Sequence, residues 1–377
     1  MSRADLKRRA DEARRWLLEA VFPLWSTAGF DAASGQFVEQ LSLEGEPDVG
    51  ARRRVLVQAR QLYVFAVAGR MGWDGPWRAV MDAAADTLLA RGRDDGGDWI
   101  FAFDSAGRPV DRRLDLYTQA FVIFGLGHAA TALGRVDLLA AAQATRERLC
   151  AAWRAPGGGF REGALHPGLR RQNPHMHLFE AAMALHQAGG DPADLALSGE
   201  LWTLFATRFA ADAGVLEYFD DDLAPLSDAR GRITEPGHAF EWSWLAGQWR
   251  TLSGADTIGL ADRLYAAGRR GVSADGIACD EVWTDGTVKA ATGRCWPQTE
   301  WLKAALARLG RDPAAAADVG AAHDSLLRFL GDVRPGAWRD RRLADGGWAA
   351  GPAPASSGYH IVCALDQLIA WSASAGG

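Results

Sequence analysis

The sequence predicts an all-α protein, an (α/α)6 barrel of twelve helices with short β-hairpins in the connecting loops. Segments with helical periodicity alternate with glycine-rich turns along the whole chain. A glycine followed by aromatic and acidic residues recurs six times, at successive separations of 68, 61, 56, 62 and 60 residues, which indicates an internal repeat. The last helix is strongly apolar, so we expect it to pack against the first hairpin and close a ring. An open solenoid would instead need polar capping repeats at its ends.

The predicted helices form six helix–turn–helix pairs. The fourth helix shows the periodicity well, because Leu116, Ala120, Ile123, Phe124 and Gly127 fall on one face. In a closed ring of such pairs, the odd-numbered helices would lie outside and the even-numbered helices inside. The twelve helices are predicted at 5–25, 52–70, 77–92, 113–132, 136–152, 174–188, 194–212, 236–253, 256–272, 294–309, 313–330 and 357–371.

A candidate hairpin follows each odd-numbered helix. β-favouring residues alternate between glycines in these segments, so each could form two short strands. A β/α barrel is not expected, because it would need eight buried strands rich in Val and Ile. We therefore expect one domain over residues 1–377. The segments are GFDAASGQF from Gly29, GDWIFAFDSAG from Gly97, GGFREG from Gly158, GVLEYFDDD from Gly214, GIACDEVWTDG from Gly276 and GAWRDRRLADGG from Gly336.

The composition excludes several classes of protein. The 377 residues are 48% hydrophobic, which excludes a disordered chain, and the net charge of −6 argues against binding to nucleic acid or anionic membrane. Four widely separated cysteines (Cys150, Cys279, Cys295 and Cys363) predict a reducing compartment and no thiolate metal site. The charged N-terminal segment lacks the apolar stretch of a signal peptide. We expect a cytoplasmic monomer or homodimer.

Unusual polar and aromatic residues cluster at or near the starts of the even-numbered helices. If these helices are all inner, their N-termini converge at one end of the barrel and these side chains line one pocket. Helix N-termini also carry a partial positive charge that suits a developing oxyanion. The residues are Arg60, Asp115, Tyr117, Gln119, Asn173, His175, His177, Glu180, Glu235, His238, Glu241, Trp242, Arg294, Trp296, Gln298, Glu300, Tyr359 and His360.

The histidines of the sixth and eighth helices are assigned by spacing. His175 and His177 point about 200° apart on a helix, so only one can face the pocket. We choose His177, because it shares a face with Asn173, and assign His175 to structure. Glu241 shares a face with His238 and could orient its imidazole, bind substrate or contact backbone donors of the helix N-terminus.

Other residues of the set have a structural alternative. Arg60 and Arg294 could form ion pairs with Glu180 or Glu300 within the barrel instead of binding a ligand. Trp242, Trp296 and Trp348 adjoin the polar motifs and could stack on a sugar ring, or they could be ordinary core residues.

Four motifs on alternate helices resemble those of the N-acylglucosamine 2-epimerase superfamily, which includes mannose isomerases and other aldose–ketose isomerases. They are QNPHMHLFEA, EPGHAFEW, RCWPQTEW and YHI, and the likeness runs from Trp16 to about Trp371. The resemblance implies an (α/α)6 barrel, in agreement with the periodicity. The segment NPHMHLFEA replaces the HEILE-like segment of cellobiose epimerases, which favours the monosaccharide branches.

The resemblance also implies roles for individual residues. His238 and His360 match the general acid and base of the family, and His177 and Asn173 match residues that hold sugar hydroxyls and aid proton transfer. Arg60 matches an arginine near the reacting carbons, and Glu241 a carboxylate beside the catalytic histidine. Tyr117, Trp296 and Gln298 resemble further pocket residues.

We therefore expect an enzyme that interconverts D-mannose and D-fructose, and D-lyxose and D-xylulose, through a cis-enediolate. An imidazole with a pKa near 6.5 can act as base and then as acid at neutral pH. His360 is assigned to the proton transfer between C2 and C1, His238 to ring opening and Arg60 to charge stabilisation, although the two histidines could exchange roles. No cofactor or metal is expected.

Five alternatives stay open. A sugar 2-epimerase would use the same residues, and a sugar-phosphate isomerase could use Arg112, Arg113, Arg170 and Arg171. A glycoside hydrolase could use the pair Glu241 and Glu300. The other two are a binding module without chemistry and a metal site formed by the three histidines with Glu241.

Overall fold

The computed structural model describes residues 1–374, and its helices form two concentric rings. This arrangement confirms the predicted (α/α)6 barrel. In chain order the helices are α1 (Arg3–Trp16), α2 (Phe22–Thr27), α3 (Val55–Arg70), α4 (Trp77–Arg91), α5 (Leu116–Leu133), α6 (Val136–Ala152), α7 (Gln172–Gly189), α8 (Pro192–Leu204), α9 (Pro236–Ser253), α10 (Ile258–Arg270), α11 (Cys295–Leu309), α12 (Ala316–Leu330) and α13 (Ala355–Ser374).

The inner ring consists of α3, α5, α7, α9, α11 and α13, each in contact with the next, and α13 contacts α3 again. These helices are apolar on all sides because they pack against both neighbours and an outer helix. In α3 every residue from Val55 to Ala68 is buried. An outer helix such as α10 buries only one stripe, including Ala261, Leu264 and Gly268.

Within the described residues, α5 is the one helix that is long and apolar enough to cross a membrane. The barrel encloses 72% of it, which is the environment of a core helix. Its apolar character therefore follows from its place in the inner ring.

Short strands bind the loops together at the end of the barrel where the inner helices begin. In four cases a strand just before an inner helix pairs with a strand of the next loop. These pairs are β4 (Arg53–Arg54) with β5 (Ala102–Phe103), β7 (Arg170–Arg171) with β10 (Tyr218–Phe219), β11 (Ile233–Thr234) with β12 (Glu281–Trp283), and β14 (Gly293–Arg294) with β15 (Arg341–Arg342). The remaining hairpins are β1 (Phe30–Asp31) with β2 (Gln36–Phe37), β5 with β6 (Pro109–Asp111), β8 (Ala210–Ala211) with β9 (Gly214–Val215), and β12 with β13 (Val288–Ala290).

A further strand pair closes the ring. β3 (Gln40–Leu41) near the start of the chain pairs with β16 (Ala353–Pro354) near its end, with Ala353 opposite Leu41. Gln61 on α3 also donates a hydrogen bond to the carbonyl of Ala355 at 2.9 Å. The barrel is therefore closed, as the apolar last helix predicted.

Three local predictions were wrong. The first helix is interrupted by a π-helical turn at Leu17–Val21, because Pro23 has no N–H to continue the helical ladder. The helix predicted over 194–212 ends in a second π-helical turn at Phe205–Phe209, followed by β8. The hairpins predicted in three segments do not form: GGFREG makes only isolated bridges, and in GAWRDRRLADGG the strand β15 pairs with β14. In GVLEYFDDD the strands β9 and β10 pair with β8 and β7, outside their own segment.

Candidate active site

A cavity of about 300 Å³ lies at the end of the barrel where the inner helices begin. All six inner helices contribute to it from their first two turns, so six partially positive N-termini converge there, as predicted. Nine of the twelve residues expected to act in catalysis or to bind substrate line the cavity. They are Arg60, Tyr117, Asn173, His177, His238, Glu241, Arg294, Trp296 and His360, together with Arg54, Leu56, Glu235, Asp340, Pro354, Ser356 and Ser357. Of the larger set predicted at the helix starts, Asp115, Gln119, Glu180, Glu300 and Tyr359 do not line the cavity.

Each of the three cavity histidines has its Nδ1 atom on a buried carboxylate. The distances are 2.9 Å from His238 to Glu217 Oε1, 2.8 Å from His360 to Glu300 Oε1 and 3.2 Å from His177 to Glu180 Oε2. Where such a carboxylate is ionised it only accepts hydrogen bonds, so Nδ1 of its histidine then carries the hydrogen. Nε2 is then the ring nitrogen left for a ligand.

His238 and His360 both have a carboxylate on Nδ1, yet their protonation states are opposite. Burial alone would lower the pKa of His238, but the charges of Glu217 and Glu235 outweigh it and raise the pKa to about 9. Burial, followed by the positive charges of Arg60 and Lys303, holds the pKa of His360 well below its ordinary value. At neutral pH His238 is therefore an imidazolium and His360 a neutral imidazole.

His177 is neutral as well, because burial lowers its pKa to about 4 against the opposing charge of Glu180. Its ring lies against Phe121 and Tyr117, at centroid distances of 4.5 and 5.2 Å. Trp296 contacts both other imidazoles, 4.9 Å from His238 and 5.6 Å from His360. Each of the three histidines thus packs against at least one aromatic ring.

Arg60 differs from the other arginines of the cavity in its partners. Its guanidinium donates to the carbonyl of Ser356 and the hydroxyl of Tyr117, at 2.9 and 2.6 Å, and lies 4.0 Å from the Phe121 ring centroid. Among the described residues it forms no ion pair, so its charge is available to an anionic ligand. Arg294 pairs with Asp280 and Glu235, and Arg54 pairs with Glu39. The ion-pair alternative is thus correct for Arg294, with partners other than those considered.

Two carboxyl groups of the cavity have raised pKa values. Burial and the charge of Glu300 raise the pKa of Glu241 well above its ordinary value, and neither of its oxygens has a hydrogen-bond partner within residues 1–374. Burial also raises the pKa of Glu235, despite the opposing charges of His238 and Arg294. A neutral Glu241 can donate a hydrogen bond to a hydroxyl, which an ionised carboxylate cannot.

Three of the predicted site residues lie outside the cavity lining. Trp242 is fully buried, stacks on Phe205 at 3.6 Å and donates to Gln172, so it is a core residue. Gln298 is also fully buried and bonds the backbone of Ala278 through both ends of its amide, which ties a loop to α11.

Trp348 is the third of these residues. It packs on Phe329 at 5.0 Å, in the loop after β15. For all three, adjacency to a polar motif in sequence did not place the ring or amide in the cavity, because their side chains point to the outer layer or the loops.

The structure also bears on the alternatives. Arg112, Arg113, Arg170 and Arg171 do not line the cavity, and Arg113 and Arg171 are paired with Asp111 and Glu162. His175 bridges the backbone of Arg171 and Phe160, the structural role predicted for it.

The geometry disfavours a glycoside hydrolase that uses Glu241 and Glu300, and a metal site formed by the three histidines with Glu241. Glu300 is fully buried and already occupied by His360 and Lys303, so it does not face a glycosidic bond. Among the described residues, each trio of side chains close enough to share an ion holds one histidine and two carboxylates, and the three histidines with Glu241 form no such group.

Sequence reasoning missed Glu217 and the pairing of each histidine with its carboxylate, although Glu180 and Glu300 were in the predicted set. Glu235 precedes the start of α9, yet its side chain makes no capping hydrogen bond and contacts Arg294 instead. The three-residue spacing of His177 and Glu180 was a usable signal. Glu217 and Glu300 reach their histidines from other elements, so no local pattern paired them.

The chain is similar to known proteins over most of its length. The family model described as N-acylglucosamine 2-epimerase (GlcNAc 2-epimerase) matches residues 35–364. A protein of Rhizobium meliloti (strain 1021) named mannose-6-phosphate isomerase is 40% identical over 97% of both chains. A D-mannose isomerase of Thermobifida fusca is 31% identical over 50% of both chains. The solved structure of cellobiose 2-epimerase from Spirochaeta thermophila DSM 6192 has a TM-score of 0.89, with 21% identity and 99% of both chains covered.

An (α/α)6 barrel with one cavity lined by histidines and carboxyl groups, together with these relatives, defines an enzyme of the sugar epimerase and isomerase class. The chain belongs to the N-acylglucosamine 2-epimerase family, since the family model covers most of its length.

Proposed function

We propose that the protein is an aldose–ketose isomerase that interconverts D-mannose and D-fructose, and also D-lyxose and D-xylulose, without a metal ion. The observation that carries this proposal is the placement of His238 and His360 in one cavity, each with Nδ1 on a buried carboxylate. The pKa of His238 is raised and that of His360 is lowered, so the first suits an acid and the second a base. One can donate a proton while the other accepts one, as enolisation of a sugar requires.

The proposed reaction begins with ring opening. His238 donates its Nε2 proton to the ring oxygen as the bond between that oxygen and C1 breaks. Nε2 then takes the proton of the O1 hydroxyl, which restores an imidazolium whose Nδ1 lies 2.9 Å from Glu217. Nε2 of His360 removes the proton from C2 of the open aldose, and the resulting imidazolium is stabilised by Glu300. Arg60 and the helix N-termini stabilise the negative charge that develops on O1 and O2 of the cis-enediolate. The hydroxyl proton moves from O2 to O1 and His360 returns its proton to C1, which yields the ketose.

The proposed substrate is a sugar without a phosphate group. A phosphate would need free cations, and the rim arginines Arg54 and Arg294 are already paired with carboxylates. Arg60 lies inside the cavity, 5% exposed, where the reacting carbons would lie. The remaining groups of the lining, such as Asn173, Ser356 and Tyr117, suit neutral hydroxyls.

Two other outcomes have support. A 2-epimerase would return the proton to C2 from the opposite face, as the names of the family and of the cellobiose epimerase suggest. A sugar-phosphate isomerase is suggested by the name of the Rhizobium relative.

Incubation in heavy water separates these outcomes. The purified protein is given mannose, glucose, fructose, lyxose, N-acetylmannosamine and mannose 6-phosphate, and the products are followed by NMR. We expect fructose from mannose, with deuterium at C1. The control variant His166→Asn, changed at a histidine that does not line the cavity, should show unchanged turnover. Deuterium at C2 of a new aldose indicates an epimerase. A protein that exchanges no carbon-bound hydrogen on any of these sugars refutes the proposal.

A further inference from the structure

Lys303 is a fully buried lysine that the proposed mechanism does not use. The chain has two other lysines, Lys7 and Lys289, and both are at least partly exposed. Lys303 lies on α11, one turn after Glu300, with Nζ 2.7 Å from Glu300 Oε2 and 3.8 Å from the ring centroid of Trp244. It lies behind the cavity and does not line it.

A buried ammonium is costly unless opposite charges surround it. Here the carboxylate of Glu300 lies 2.7 Å from Nζ. Despite burial, Cys363 and then the carboxyl groups of Glu300, Glu241 and Glu180 hold the pKa of Lys303 above its ordinary value. Lys303 is thus a permanent cation at the bottom of the site. The titratable and charged groups that face this cluster are Arg60 from α3, His177 and Glu180 from α7, Glu241 from α9, Glu300 from α11, and Tyr359, His360 and Cys363 from α13.

Each carboxylate behind a cavity histidine has a second partner on its far side. Tyr359 donates its hydroxyl to Glu180 at 2.6 Å, and Gln172 donates its amide to Glu217 at 2.9 Å. The second partner of Glu300 is Lys303, the only cation among the three. Glu300 is also the carboxylate behind the neutral histidine that the proposed reaction uses as its base, so its own charge decides the hydrogen position on that ring.

We propose that Lys303 is a positioning residue that keeps Glu300 ionised, so that Glu300 accepts the Nδ1 hydrogen of His360 and leaves Nε2 free to take the substrate proton. This inference rests on the proposed function, because it assigns the tautomer that the base of that reaction needs.

The consequence of losing the ammonium follows from the chemistry of the carboxyl group. Burial raises the pKa of Glu300, and Lys303 is the leading opposing charge. Without Lys303, Glu300 takes up a proton at neutral pH and its O–H donates to Nδ1 of His360. The ring hydrogen then moves to Nε2, and the nitrogen that faces the substrate can no longer act as a base. Raising the pH removes the proton from Glu300 and restores the active tautomer.

The test compares wild type, Lys303→Met and the exposed control Lys7→Met, whose Nζ pairs with Asp11 on the outer surface. Methionine keeps the length of the side chain and removes its charge. We expect kcat of Lys303→Met with mannose at pH 7 to fall about ten- to a hundred-fold with KM nearly unchanged, because most of Glu300 would then be protonated and most of His360 would carry its hydrogen on Nε2. Its kcat should rise again with increasing pH, whereas the control follows wild type at every pH.

A second measurement does not depend on turnover. The ¹⁵N chemical shifts of the His360 ring, assigned with a His360→Asn variant, report which nitrogen carries the hydrogen. We expect the hydrogen on Nδ1 in wild type and on Nε2 in Lys303→Met at pH 7. If that variant does not fold, Lys303→Gln and the wild-type spectrum serve instead.

The outcomes are distinguishable. Inactive wild type with His360 protonated at Nδ1 contradicts the proposed function and leaves the tautomer assignment supported. An active wild type with the hydrogen on Nε2 overturns the role of Lys303. The same conclusion follows if Lys303→Met retains wild-type kcat, or loses activity equally at every pH with unchanged ring shifts.

Discussion

Replacing Glu217 by glutamine tests the electrostatic basis of the acid. Glu217 Oε1 lies 2.9 Å from Nδ1 of His238, and its charge is the largest that raises the pKa of this histidine to about 9. At an effective dielectric constant of about 20, opposite charges about 4 Å apart attract by about 4 kcal/mol. This energy corresponds to a factor of about a thousand in proton affinity. We therefore expect the pKa of His238 in Glu217→Gln to fall to about 6.

The change has a defined signature in the pH profile. Wild type should keep its acid protonated up to about pH 9, so kcat/KM for mannose should decline only above that value. In Glu217→Gln the decline should begin near pH 6, which reduces kcat/KM about tenfold at pH 7 and about a hundredfold at pH 8. Fructose formation in a series of buffers between pH 5 and 10 measures both curves.

The control is Glu44→Gln, since Glu44 is exposed, lies between β3 and β4 and does not line the cavity. Its profile should match that of wild type. An alkaline limb of Glu217→Gln that stays near pH 9, with the protein folded, would falsify the assignment of His238 as the charged acid.

Four further predictions concern the base, a core residue, stability and metal. His360→Asn should lower kcat for mannose by about a hundredfold or more with an unchanged melting temperature, and a loss confined to KM would contradict a role as base. Trp242→Ala should cost about 3–5 kcal/mol in urea unfolding, because a fully buried indole is removed, while KM of the folded fraction stays constant; a selective rise in KM would contradict its core assignment. Because the pKa of His238 is raised, its contribution to stability should be complete below about pH 6.5 and lost as pH rises through about 9. Urea unfolding of wild type and His238→Gln at pH 6 and 10 measures this difference, and equal stability differences at both values would contradict it. Turnover after exhaustive chelation should equal that of untreated protein, and a loss restored by a divalent cation would contradict metal independence.

The sequence was sufficient to predict the architecture because the architecture depends on periodicity. Helical spacing, as in Leu116 to Gly127, and the recurring glycine segments are visible without coordinates. The convergence of the inner helix N-termini then follows from the alternation of helices. This explains why nine of the predicted residues, including Arg60, His238 and His360, line the cavity.

Side-chain direction was less predictable than helix position. Trp242 and Gln298 lie one and three residues from Glu241 and Cys295, in motifs that do face the cavity, yet both point away from it. A shift of one position on a helix turns a side chain by about 100°, so motif membership alone does not decide which way it faces. The hairpins were similarly ambiguous, since β15 found its partner in another loop.

The amino-acid sequence by itself determined the barrel, the ring of polar helix starts and the three histidines at their centre, because these depend on local spacing. Only the tertiary structure decided which carboxylate lies behind each imidazole, since Glu217 and Glu300 come from a loop and a helix that are 21 and 60 residues away from His238 and His360. The charges around each pair, Glu235 near His238 and Arg60 and Lys303 near His360, then make one histidine charged and the other neutral. The charge of a buried group depends on its neighbours in space, and folding alone brings those neighbours together.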